Sequence, residues 1–321
     1  MFGESYHALE MIINIFTTTT HFSIVMSMSA RIIDGKAIAA EIRDELKAKV
    51  DASIRLGVRP GLAVVLVGED PASISYVTAK ERDCEKVGIY SRDIRLSADT
   101  KQDELLGLID ELNSDPNIHG ILVQLPLPDT FDEERVIGAI APDKDVDGFH
   151  PESIGRLVLN LDGFLPCTPH GVIKILEAEG VPIEGADVVI VGRSRIVGAP
   201  LANLLFRKAP GGNATVTVCH TRTRRMAEKV RRADVVIAAA GRPGTITADM
   251  VKDGAVVIDV GVNRVDDPSR PRGYHLVGDV DFDAVKEIAS AITPVPGGVG
   301  PLTRAMLLWN TVESARRFQV S

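Results

Sequence analysis

Cysteine is scarce and scattered: Cys84, Cys167 and Cys219 are the only three in 321 residues, and no two form a CxxC pair. That excludes a disulfide-stapled scaffold and a Cys-rich zinc site, and it suits a reducing, cytoplasmic compartment. Long apolar runs are also missing, and nothing approaches the roughly 18 uninterrupted apolar residues of a membrane-spanning helix. Positive charge is in deficit, with 36 Lys and Arg against 44 Asp and Glu and a formal net charge of −8. A chain of this sign has no general pull on phosphate backbones, so neither nucleic acid nor membrane is expected as a partner. Internal repeats and low-complexity tracts are absent as well.

Residues Met1 to Met28 contain neither lysine nor arginine but carry Glu4 and Glu10. The charged leading region of an export signal is missing, and a transit peptide would be Arg-rich and acid-poor. Residues 1–29 therefore read as an extension from an over-extended start, the true start being Met26 or Met28. Deleting residues 1–27 is expected to leave melting temperature and activity unchanged, because the periodicities that build the cores begin only after Ala30.

What is present is a regular α/β alternation, long enough for two domains. Ile38, Ile42, Leu46, Val50 and Ile54 repeat every four residues, as one face of a helix that Gly57 and Pro60 stop. Strand over 62–67, helix over 72–87, strand over 89–96, helix over 103–112 and strand over 118–125 follow in βαβ rhythm. After a Pro- and Asp-containing loop over 141–150 the rhythm restarts, with a helix over 170–178 and strands over 187–191, 215–219, 234–239 and 255–260. These apolar strands predict a Rossmann-like, doubly wound parallel sheet covered on both faces. The expected division is an N-terminal α/β domain over 30–150 and a second α/β domain over 151–302, with a last helix over 304–318 free to join either.

The strand over 187–191 runs into Gly192-Arg193-Ser194-Arg195-Ile196-Val197-Gly198 and then a helix with Pro200 in its first turn. Glycines there let backbone N–H groups approach an anion at the positive end of a helix, and Arg193, Ser194 and Arg195 add donors. The spacing is not GxGxxG, and the glycine pair alone fits a plain strand-to-helix turn equally well. The end of the next strand is more telling. An NAD enzyme usually places an acid there for the ribose 2′-hydroxyl, whereas this chain has Cys219-His220-Thr221-Arg222-Thr223-Arg224-Arg225. A basic, hydroxyl-rich turn favours a 2′-phosphate, hence NADP; the competing reading is a solvated charge run.

In the N-terminal half, Tyr76 and Lys80 are four apart and share a helix face, so a ring and an amine stand side by side. A half-buried tyrosine under a solvated lysine would look the same. Gln124 ends an apolar strand in Val123-Gln124-Leu125-Pro126-Leu127-Pro128, where α/β sites open, or simply caps the strand. Asp143, Asp145, Asp147 and Gly148 resemble the opening of a calcium loop, but its twelfth position is Ile154 rather than a bidentate Glu, so no metal is expected. One of these carboxylates, Asp147 above all, is instead suited to a donor-rich ring. The segment Thr293-Pro294-Val295-Pro296-Gly297-Gly298-Val299-Gly300-Pro301 is too stiff and Gly-rich for a linker and reads either as a shaped wall or as an elaborate turn.

Taken together and in order, these motifs closely resemble the bifunctional methylenetetrahydrofolate dehydrogenase/cyclohydrolase family from about Ala30 to Phe318. The resemblance implies oxidation of 5,10-methylenetetrahydrofolate with NADP, followed by hydrolysis of the methenyl product to 10-formyltetrahydrofolate. It implies Lys80 as the catalytic amine, Gln124 assisting it, Tyr76 stacking on the folate, and Asp147, Pro296 and Gly297 contacting the substrate. Gly192, Arg193, Ser194 and Thr221 would hold NADP, with Val262 near the nicotinamide end. It further implies a homodimer and a C-terminal helix, 303–321, that returns to the N-terminal domain. Leu302 and Arg304 depart from the Met and Val that family members often carry. Two rivals are an NADP-binding scaffold without catalysis, which would lack Lys80 or Gln124, and an amino-acid dehydrogenase of similar layout, whose acid-binding lysine pattern is missing.

Overall fold

Asp34 starts the first long helix, α1 (Gly35–Arg55), by accepting the N–H groups of Lys36 at 2.9 Å and Ala37 at 3.1 Å. Such a cap satisfies donors that a helix start otherwise leaves unpaired. The computed structural model describes residues 29–270 and 273–320; the expected extension falls almost entirely outside them. The four-residue stripe of α1 holds at Leu46 and Val50, which are buried, and ends before Ile54, which is 43% exposed.

The N-terminal sheet has three parallel strands, with β2 (Gly61–Val67) between β3 (Tyr90–Leu96) and β4 (Gly120–Val123). Every residue of β2 is buried, and successive side chains divide between two cores. Ala63, Val65 and Val67 join Leu105, Ile109 and Leu112 of α3 (Gln102–Ser114) on one face. Leu62, Val64 and Leu66 join Val77 and Cys84 on the other. Those last two belong to α2 (Pro71–Val87), which Asp70 caps through the Ser73 N–H at 2.7 Å and Gly88 ends in a left-handed turn at φ 92°. Beyond β4 come α4 (Glu133–Ala139) and α5 (Pro151–Val158).

Helix α6 (Cys167–Ala178) leads to the second, six-stranded sheet, in which β5 (Asp187–Val191) lies between β6 (Thr215–Cys219) and β7 (Val235–Ala238). Helix α7 (Gly198–Phe206) follows β5, and α8 (Met226–Val230) follows β6. The sheet continues through β8 (Val256–Asp259), while β9 (Asn263–Asp266) and β10 (Tyr274–Val277) form a separate antiparallel pair. After α9 (Phe282–Val285), β11 (Ala291–Ile292) pairs with β8, and all six strands run parallel. Because the order reverses at β5, its carboxyl end is the crevice where such sheets bind ligands.

The expected boundary at Ala30 needs one correction. The first strand, β1 (Arg31–Ile32), pairs with β11 at the edge of the six-stranded sheet, so the described chain enters the second domain before crossing to the first. The pairing is only two residues long, too short to leave a periodicity.

The last helix, α10 (Val299–Val320), lies against α1 and α6 and reaches α2, β2 and β4. Leu302, Ala305, Met306, Leu307, Leu308, Val312 and Ala315 are all buried. Its polar buried residues hold the Asp147 loop. Asn310 Nδ2 donates to the carbonyls of Val146 at 2.8 Å and Leu165 at 3.0 Å, and Ser314 Oγ lies 2.8 Å from the Asp143 carbonyl. Among the described residues no helix is long and apolar enough to cross a membrane.

Candidate active site

Lys80 sits on the inward face of α2, where helical spacing aligns it with Val77, Cys84 and Val87. It is only 9% exposed, and its Nζ donates to Gln124 Oε1 at 2.9 Å. Gln124 follows the last residue of β4; its backbone N–H continues the ladder to Val65 O at 2.8 Å, and its Nε2 donates to Leu125 O at 2.6 Å. That second bond fixes the amide so that its oxygen faces the amine. Burial pushes the Lys80 ammonium below the ordinary lysine value, with Arg304 acting the same way and Asp147 opposing. An amine held in this way can be neutral and accept a proton nearer neutrality than a surface lysine can. Tyr76, one helical turn earlier on α2, is 39% exposed.

The three aspartates of the 143–148 segment have separate fates. Asp143 is exposed. Asp145 is buried, and its oxygens accept the N–H groups of Gly148, Phe149 and His150 and the Ser153 hydroxyl, all within 3.2 Å. Asp147 keeps a partly open edge, yet burial of its carboxyl pushes it up to about 6, with Lys80 pulling down and Asp145 pushing up. Gly148 is required at this bend: its φ is +76°, and a Cβ there would meet Pro166 N at 2.7 Å. Cys167 lies beside it, buried, its thiol donating to Val146 O at 3.3 Å and pushed well above the ordinary cysteine range by burial.

The Pro- and Gly-rich loop leads into α10. Gly297 has φ +114°, and a Cβ on it would press on Lys36 Cε at 3.3 Å, while a Cβ on Gly35 would collide with Gly298 O at 1.9 Å. Pro296 is exposed on this loop. The loop therefore rests on the start of α1, with no room for larger side chains at the join.

At the second sheet, Gly192 has φ +139°, and a Cβ there would meet Ala239 O at 2.0 Å; one on Gly198 would meet Gly192 O at 2.3 Å. Both glycines are thus forced by close backbone approach, which is the cradle a dinucleotide phosphate needs at a helix start. Ser194 Oγ accepts the N–H groups of Val197 at 3.2 Å and Gly198 at 3.4 Å, and Arg193 is exposed at the same turn. Arg195, expected as a further donor to the nucleotide, is instead ion-paired with Glu134 of α4. After β6, the Thr223 hydroxyl accepts the His220 N–H at 2.8 Å, which leaves Thr221, Arg222 and Arg224 exposed on the turn. These groups fit a nucleotide carrying a 2′-phosphate.

Val262 is 47% exposed just beyond β8. Around it lies a pair of buried carboxylates that sequence reasoning missed. Asp279 Oδ2 accepts the N–H groups of Ala240 at 2.6 Å and Gly241 at 2.8 Å, and its Oδ1 accepts Asn263 Nδ2 at 2.8 Å. Asp259 accepts the N–H groups of Gly261, Asp279 and Val280, and burial pushes it up to about 6. Together they fix the loops after β7 and β8 at the mouth of the crevice. The signal in the sequence was an acid ending the otherwise apolar run over 255–258.

A family model for the tetrahydrofolate dehydrogenase/cyclohydrolase catalytic domain matches residues 33–147, and one for the NAD(P)-binding domain of the same family matches residues 166–319. The chain belongs to the tetrahydrofolate dehydrogenase/cyclohydrolase family. Among its relatives, bifunctional protein FolD 1 of Haloarcula marismortui is 56% identical over 283 residues, covering 88% of this chain and 95% of that protein. The structure of the bifunctional FolD methylenetetrahydrofolate dehydrogenase/cyclohydrolase of Campylobacter jejuni superposes with TM-score 0.85 at 49% identity, covering 90% of this chain and all (100%) of that one. A Trypanosoma brucei methylenetetrahydrofolate dehydrogenase-cyclohydrolase, solved with NADP and an inhibitor, gives TM-score 0.87 at 40% identity, covering 92% and 100%. Membership accounts for the two-domain α/β plan and for a nucleotide cradle in the second domain.

Proposed function

We propose that the chain oxidises 5,10-methylenetetrahydrofolate and then hydrolyses the 5,10-methenyl product to 10-formyltetrahydrofolate, both at the cleft that contains Lys80. The observation that carries this reading is the buried Lys80–Gln124 pair beside Asp147, in a chain that also holds a phosphate cradle. NADP, when bound, accepts the hydride that leaves the folate's methylene carbon. Gly192, Arg193, Ser194 and Thr221 would hold it, with Val262 toward its nicotinamide end.

The chain's own work is positioning and proton transfer. Tyr76 stacks on the folate, Asp147 accepts hydrogen bonds from the pterin, and Pro296 and Gly297 wall the site. Loss of hydride leaves an amidinium-like carbon between N5 and N10, open to attack by water. Neutral Lys80 takes one proton from the attacking water as the C–O bond forms and returns it to N5 as the C–N5 bond breaks; the remaining hydroxyl proton passes to solvent as the formyl carbonyl forms, while Gln124 keeps the amine aimed. The protein acts in the cytoplasm as a homodimer. Purified protein with methylenetetrahydrofolate and each nicotinamide cofactor tests the reading.

The pH dependence has a defined sign. As pH falls through about 6, Asp147 takes up a proton and loses its grip as an anion, so KM for the folate rises in both reactions. Steady-state KM across that range checks this, and Asp147→Asn should raise KM but flatten the profile. NADP should outperform NAD, and Arg193→Ala should lower kcat/KM with NADP roughly 10- to 100-fold, as loss of a charge-assisted contact does, while barely changing NAD. Equal efficiency with NAD would remove the 2′-phosphate reading.

A further inference from the structure

The same inward face of α2 carries a second charged residue that the reaction above does not use. Asp83, three residues past Lys80, is 5% exposed, and its Oδ2 accepts Arg304 Nε at 2.7 Å. The Arg304 side chain is itself 24% exposed and comes from the second turn of α10, which runs straight on from the Pro- and Gly-rich loop. A partly buried ion pair is weak evidence of stability, since desolvation offsets much of its attraction, so its place on the lysine helix asks for another account.

We propose that Arg304, clamped by Asp83, is a positioning residue for Lys80: it seats the lysine helix against α10 and keeps the amine in the form that can take a proton. This rests on the reading of Lys80 as the proton-transfer group. The groups facing Lys80 come from five elements or loops: Gln124 after β4, Asp147 from its loop, Cys167 at the start of α6, Arg304 on α10, and Cys84 on α2 itself. Burial keeps both thiols neutral near pH 7. Asp147 favours the charged amine and Arg304 disfavours it, so Arg304 is the cation that balances the pocket. Asp83 holds that cation by its Nε and limits how far it can swing.

Opposite charge changes then have opposite consequences. Arg304→Leu removes the cation and leaves the buried Asp83 anion, so Lys80 stays protonated to higher pH. The acid limb of enzyme-catalysed methenyltetrahydrofolate hydrolysis should move up by about one pH unit, the scale of a single neighbouring charge. Asp83→Asn keeps an acceptor for Arg304 but drops the negative charge, and the limb should move down. The double variant should fall between the two, Arg304→Lys should stay near the parent, and KM for the folate should change less than kcat. A merely structural role would cost melting temperature in both single variants without moving the limbs apart. Limbs that do not move, or that move in the same direction, overturn the proposal. If Arg304→Leu does not fold, Asp83→Asn, Arg304→Lys and the double variant still decide it. Lys80→Gln measured in parallel separates the two claims: full hydrolysis there removes the lysine reading itself, whereas loss of hydrolysis there with unmoved limbs elsewhere removes only the role of Arg304.

Discussion

Lys80→Gln lowers methenyl hydrolysis by a factor of about 10² to 10⁴, the usual worth of a positioned acid–base group, and lowers NADP-dependent oxidation far less. The neutral amide can replace neither the proton acceptance nor the proton return that N5 departure needs. Hydride transfer asks only that the rings be held in register, so part of it survives. The substitution is close in size and leaves a polar group against Gln124 Oε1, which now accepts 2.9 Å from Nζ. Both rates measured on one preparation give the comparison. Wild-type hydrolysis in the variant would refute Lys80 as the base.

The mirror-image result is expected at the nucleotide cradle. Gly192→Ala should cut the efficiency of NADP-dependent oxidation by about 10²-fold, the scale of a misplacement near 1 Å in a reacting pair. Its Cβ would stand 2.0 Å from Ala239 O, in a backbone at φ +139°, so the turn must move and carry Arg193 and Ser194 with it. Hydrolysis should fall much less, because Lys80, Gln124 and Asp147 lie on the other sheet, its loops and α2. Steady-state kinetics of both reactions, with melting temperature as a folding control, check the separation. Equal loss of both activities would mean that the turn supports the whole cleft.

Much of this was legible in the residues. The helix bearing Tyr76 and Lys80 has a local cause in its capping Asp70, and the apolar run leading into Gln124 and the glycine-marked turn at Gly192 carry their own signals, although the strand expected over 118–125 stops at Val123. Helix α10 starts at Val299 rather than at Arg304, because the loop signals of Gly298, Gly300 and Pro301 do not hold it back. Proline in a first helical turn has no N–H to lose there, so the helix accommodates it. What local pattern could not reveal was pairing across the chain. Asp83 and Arg304 are 221 positions apart, and the Arg195 side chain turns to Glu134, 61 positions away. Asp259 ends an apolar run, but nothing local marks its burial together with Asp279 against backbone N–H groups.

One chain is expected to perform both steps with NADP. The most direct measurement supplies purified protein with 5,10-methylenetetrahydrofolate and NADP, then NAD, and follows reduced cofactor and 10-formyltetrahydrofolate together. NADPH should form first and the formyl product follow, with NAD much poorer. Formation of NADPH with no enzyme-dependent formyl product, or no reduced cofactor at all, would contradict the account.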